Sequence, residues 1–131
     1  RAVMGLDTQC MGWNRERLLK RIFRSSRDLC YAAWEGNVLL GFIMADWYKQ
    51  EVGPCVCRPT HAEEAVNLLN AVLSKLVGVE VRVGVLETWR SIVDALREMT
   101  FKEEFKVVRM FWGDRLKDTS CLLAMESLER G

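Results

Sequence analysis

A chain of 131 residues, half of them hydrophobic, is long enough to bury one core and too short for two, so one domain over 1–131 is expected. Lys and Arg number 19 against 18 Asp and Glu, and a net charge of +1 excludes the global field that draws nucleic acid or an anionic membrane. No window approaches the roughly 18 uninterrupted apolar residues of a membrane span, and the first residues, "RAVMGLD", hold no signal-peptide core.

These features lead us to expect a soluble, cytoplasmic protein with no nucleic-acid and no membrane partner. The chain starts at Arg1 with no initiator Met, which suggests a processed product or the C-terminal part of a longer chain. Cys10, Cys30, Cys55, Cys57 and Cys121 are odd in number and mostly sit in apolar runs, so free buried thiols are expected rather than a disulfide framework.

In chain order, "NRERLLKRIFRS" (14–25) places Leu18, Leu19, Ile22 and Phe23 on one helical face behind Asn14 as N-cap. "DLCYAAWEGNVLLGFIMADWYKQ" (28–50) is apolar on both parities and broken by "EGN" (35–37), which predicts two buried antiparallel strands joined by a tight turn. "EVGPCVC" (51–57) is a third strand whose Gly53-Pro54 predicts irregular pairing. From His61 to Val77 the apolar positions recur at helical spacing.

"VEVRVGV" (79–85) alternates as a half-buried strand, and "TWRSIVDALREM" (88–99) returns to helical spacing. "EEFKVVRMFWG" (103–113) and "SCLLAME" (120–126) read as a last strand pair. The pattern is a mixed α/β sheet, with a parallel right-handed crossover between 51–57 and 79–85. The start of the main helix then lies at the carboxyl end of its strand, the usual ligand-facing side of such a sheet.

This order, with an interrupted strand before the main helix, resembles the GNAT (Gcn5-related N-acetyltransferase) superfamily. It is most similar to the second, C-terminal GNAT-like domain of two-domain acetyltransferases. The residues that carry the resemblance are "GLD" (5–7), "NRERLL" (14–19), "LLGFIMA" (39–45), "GP" (53–54), "AEEAVNLLNAVL" (62–73), "VRVGV" (81–85), "ALREMTF" (95–101), "VVRMFWG" (107–113) and "LLAMESLERG" (122–131).

The resemblance implies a GNAT-like acyl-CoA N-acyltransferase fold with acetyl-CoA as cofactor, an amine of unidentified structure as substrate, and an upstream acetyltransferase domain as partner. It further implies that backbone amides of the bulged strand, at Cys55, Val56 and Cys57, hold the pantetheine. A loop of the form Arg/Gln-x-x-Gly-x-Gly/Ala wraps the pyrophosphate; it maps onto "RPTHAE" (58–63), where Arg58 is retained and His61 and Glu63 stand at the glycine positions. The family's Gly-Phe becomes Thr100-Phe101, and its Asn at the next strand exit becomes Thr88 or Trp89, so only Phe101 carries over.

Two readings of the loop stay open. Thr60 and Glu63 have the T-x-x-E spacing of a capping box, which would occupy the amides a phosphate uses. Glu63 and Glu64 add the negative charge that the helix dipole favours, and Pro59 lacks an N–H. Against closure stands a weakened acetyl-CoA site led by Arg58, with His61 beside the cofactor channel.

Glu87, at a strand's carboxyl end, is the candidate general base through a water, and Glu51 a second; both also read as ordinary strand-end carboxylates. Cys55-x-Cys57 lacks the four ligands of a structural zinc site and reads as two core thiols, so no metal is expected. Arg15, Arg17, Lys20, Arg21, Arg24 and Arg27 make the first helical segment basic, which reads as a solvated face ahead of a nucleic-acid or acidic-partner patch. Trp34, Trp47 and Trp112 belong to strand runs and are expected in the core or at an interface. Two functions follow: an acyl-CoA-dependent N-acetyltransferase domain with a degenerate pyrophosphate loop, or a non-catalytic GNAT-like module that packs on a catalytic domain and shapes its substrate groove.

Overall fold

The computed structural model describes residues 2–11, 14–85, 89–99, 101 and 122–125. Helices α1 (Ala2–Met11) and α2 (Glu16–Ser25) lead through a 3₁₀ turn (Arg27–Leu29) into strands β1 (Tyr31–Glu35), β2 (Val38–Asp46) and β3 (Glu51–Cys57). Helix α3 (Ala62–Ser74), strand β4 (Arg82–Val85), helix α4 (Arg90–Glu98) and strand β5 (Leu122–Met125) follow. The expected strand over 103–113 and Trp112 lie outside the described residues.

Helix α1 was not foreseen in the sequence. Leu6 and Cys10 are buried along one stripe, but the charged Asp7 is buried beside them and blurs the polar–apolar segregation that marks an amphipathic helix. In α2, Leu19 and Ile22 are buried as the spacing predicts, while Phe23 stays exposed beneath the Arg27 guanidinium. The N-cap of α2 is Arg15 and not the expected Asn14, which instead accepts from the Glu16 amide at 2.7 Å in a turn just before the helix.

β1 and β2 form the expected hairpin, with Gly36 at a φ of 60° supplying the left-handed turn residue. β2 and β3 pair antiparallel from Gly41↔Cys57 to Asp46↔Glu51, and the register shifts where Gly53 and Pro54 oppose Met44. The extra residue is a β-bulge, the irregularity that Gly53-Pro54 predicts. β3 and β4 are parallel and, among the described residues, pair at Glu51↔Arg82 and Val52↔Val83. β5 is antiparallel to both.

The sheet buries both faces, which explains why β2 and β3 are apolar on both parities. Ile43, Ala45, Val52, Cys55 and Cys57 face Ala65, Leu68, Leu69 and Val72 of α3 and Ile92 and Leu96 of α4. The alternate residues Phe42, Met44 and Val56 pack with Leu6 and Cys10 of α1 and Leu19 and Ile22 of α2. Of the two places expected for Trp34 and Trp47, the core is ruled out, because both are half exposed. Among the described residues no helix is long and apolar enough to cross a membrane.

Two contacts fix this packing. A Cβ on Gly41 would lie 2.8 Å from Val56 O and 3.0 Å from Cys57 Cα, so the glycine sets how closely β2 approaches β3. Asp7 of α1 accepts two hydrogen bonds from buried Arg15, one of them from Nε at 3.0 Å, and this pair ties α1 to the start of α2.

Gly41→Ala is expected to lower unfolding free energy by about 1–3 kcal/mol because backbone must move, whereas Gly5→Ala, in open space on α1, should raise it by about 0.5–1 kcal/mol. Urea titrations of both variants give the comparison. Asp7→Ala leaves a buried guanidinium uncompensated and should cost about 3–5 kcal/mol. Replacing Asp7 by Leu and Arg15 by Met together should recover most of that loss.

Candidate functional site

The crossover places the start of α3 beside the carboxyl end of β3, where Cys57, Arg58, Pro59, Thr60 and His61 make the connection. The capping box expected at Thr60 and Glu63 does not form. The N-cap is His61, no side chain caps α3, and Thr60 Oγ1 shares a 3.0 Å hydrogen bond with His61 Nδ1. The cause is a tight turn that sets the helix start one residue later: His61 N donates to Arg58 O at 2.9 Å, and Cys57 Sγ donates to His61 O at 3.2 Å.

Without the box, the helix's first internal bond is Ala65 N to His61 O at 3.3 Å. Among the described residues the amides of Ala62, Glu63 and Glu64 find no acceptor, as the first turn of a helix requires unless a cap or ligand intervenes. Two carboxylates, Glu63 and Glu64, lie in that same turn. They complement the helix dipole and repel an incoming phosphate.

Arg58 is turned toward the sheet: its amide donates to Leu40 O and its Nε to Leu39 O, both at 2.9 Å. The guanidinium that would reach a pyrophosphate is thus partly committed to β2. Cys55, Val56 and Cys57 have buried side chains, the first and third in the α3 core and Val56 in the α1–α2 core. On the edge away from β2, Cys55 and Val56 are paired with β5 through Cys55↔Ala124 and Val56↔Leu122.

β5 also pairs with β4 through Gly84↔Met125 and Val85↔Ala124, so it fills the wedge where β3 and β4 diverge. Sequence reasoning found the parallel crossover but not the strand that fills this wedge, and among the described residues the β3–β4 pairing ends at Val52. Glu87 lies outside the described residues. Glu51, half-buried at the start of β3, pairs with Asp46 on one side and Arg82 on the other, at the end of the strand opposite the α3 loop.

Of the cysteines, Cys30, Cys55 and Cys57 are free thiols. Cys10 is in a disulfide, which overturns the expectation that every thiol is reduced. Burial pushes the Cys30 thiol up to about 11, and burial followed by the Glu64 charge pushes Cys57 up to about 11. Cys55 is raised further by burial, with Cys57 adding to it. None is poised as a thiolate nucleophile at neutral pH. Among the described residues no group of three or more His, Cys, Asp or Glu could hold a metal ion.

A mixed sheet with a bulged strand, a parallel crossover and a divergence beyond it is the architecture of a GNAT-like α/β fold. The chain matches the family model of the acetyltransferase (GNAT) domain over residues 3–123, and it belongs to that family. No curated protein and no solved structure matches it.

Raised thiol pKa values have a sign for stability. The native thiols stay protonated while unfolded ones ionise near 9.0, so their contribution is intact below about pH 9 and is lost as pH rises through about 11. The urea midpoint is expected to fall over that window, with a smaller fall in Cys30→Ser. At pH 8, native thiol labelling should be slow at Cys55 and Cys57 and faster at half-buried Cys30.

Proposed function

We propose that this GNAT domain is a non-catalytic module whose acyl-CoA slot is closed by its own strand, and that it packs on a catalytic acetyltransferase domain and shapes the substrate groove there. The observation that carries the reading is the pairing of Cys55 and Val56 with β5. Pantetheine recognition in this family uses the backbone of that strand, and an N–H that already donates to a neighbouring strand is not free to donate to a ligand. At Cys55 and Val56 the strand edge that would face pantetheine is therefore taken up by β5, a poor fit for the cofactor.

The loop supports the same reading. Its glycine positions carry His61 and Glu63, and the Arg58 side chain holds Leu39 O. A diphosphate would meet Glu63 and Glu64 at a distance where like charges repel.

A second reading, an acetyl-CoA-dependent N-acetyltransferase with Glu87 as base, is favoured by one observation. The amides of Ala62, Glu63 and Glu64 remain open donors, the feature that draws phosphates to helix starts.

Calorimetric titration with acetyl-CoA separates the two. The chain is expected to give no saturable binding, whereas micromolar affinity, about −8 kcal/mol, abolished by Arg58→Ala would overturn closure in favour of the second reading. In the full-length protein, removing this domain is expected to change KM for the amine more than KM for acetyl-CoA.

A further inference from the structure

Cys10 is in a disulfide, whereas Cys30, Cys55 and Cys57 are free thiols. The chain has five cysteines, so within it only Cys121 is left as the partner. Cys121 lies outside the described residues, and in the sequence it directly precedes β5. The described residues point the same way. Cys10 is buried near the end of α1 in the cluster that holds Val56, and Val56 pairs with Leu122 of β5. One peptide step spans about 3.8 Å between Cα atoms, so a partner next to Leu122 is within reach of Cys10.

We propose, on the reading that β5 closes the acyl-CoA slot, that Cys10 and Cys121 form a redox latch: the disulfide holds β5 in the wedge between β3 and β4, and its reduction lets the strand leave. β5 is four residues long and pairs with β3 through Leu122 and Ala124 and with β4 through Ala124 and Met125. A segment this short opens locally at low cost. A cross-link at its first end keeps the opened strand beside its slot, which favours re-pairing; once the link is cut, the same pairs must form against the entropy of a free segment.

The reductant is a dithiol. One of its thiolates attacks a sulfur of the bond, which breaks the Cys10–Cys121 link and forms a mixed disulfide. Its second thiolate then closes the reductant's own disulfide, and two electrons and two protons have passed to the protein as two thiols. The Cys55 and Val56 edge of β3 is free once β5 has left.

Peptide mapping of the alkylated, unreduced chain is expected to find Cys10 joined to Cys121; a free Cys10, or a link to another residue, overturns the proposal. Amide exchange then compares the oxidised chain, the chain reduced with dithiothreitol, and Cys10→Ala. Leu122–Met125 should exchange about tenfold faster or more in the last two, while α3 keeps its protection and so reports that the fold is intact. Acetyl-CoA titrated into both redox states should bind saturably only after reduction. Unchanged exchange in β5, or no acetyl-CoA binding by the reduced chain, overturns the latch and leaves the closed slot standing. Saturable binding by the oxidised chain overturns the closed slot itself, and the latch with it.

Discussion

Strand β3 has two edges and three neighbours. One edge is taken by β2 along its length, so the other must be divided, β4 holding Glu51 and Val52 and β5 holding Cys55 and Val56. The Gly53-Pro54 bulge sits between the two halves and re-aims the strand. Everything near the α3 loop depends on this division. Beyond the bulge, Cys55 and Val56 pair with β5, so this part of the edge is sheet.

The division also sets the packing. A strand with neighbours on both edges and helices on both faces exposes no side chain, which is why Val52, Cys55, Val56 and Cys57 are almost wholly buried. Gly41 completes the arrangement on the β2 side, where any Cβ would collide with the Val56 carbonyl. Burial of this order also keeps the thiols protonated, so cysteine here is a small apolar residue and not a reagent.

Charge is handled differently at the two ends of the molecule. At the start of α3 the open amides and the dipole are offset by Glu63 and Glu64, so the positive end of the helix is balanced within its own first turn. Along α2 three arginines are left with no carboxylate among the described residues, beside a buried guanidinium tied to Asp7. A near-neutral chain therefore holds a local positive stripe that net charge alone conceals.

Much of the fold was legible in the residues. The turn at Gly36, the strand Glu51–Cys57 with its bulge, the α3 periodicity and the parallel crossover to β4 all follow from local pattern and handedness. These features depend on neighbours within a few residues or on a short connection, and the sequence by itself determined them. The helix of 2–11 was hidden because its buried Asp7 is paired with a residue outside the helix. The Thr60–Glu63 box satisfied its motif and still failed, since the Arg58–His61 turn and the Cys57 thiol shifted the helix start. The placement of β5 inside the β3–β4 wedge was decided only by the tertiary structure. Pairing between strands more than sixty residues apart is chosen by which edge is left unsatisfied when the sheet assembles, and no local spacing encodes that choice.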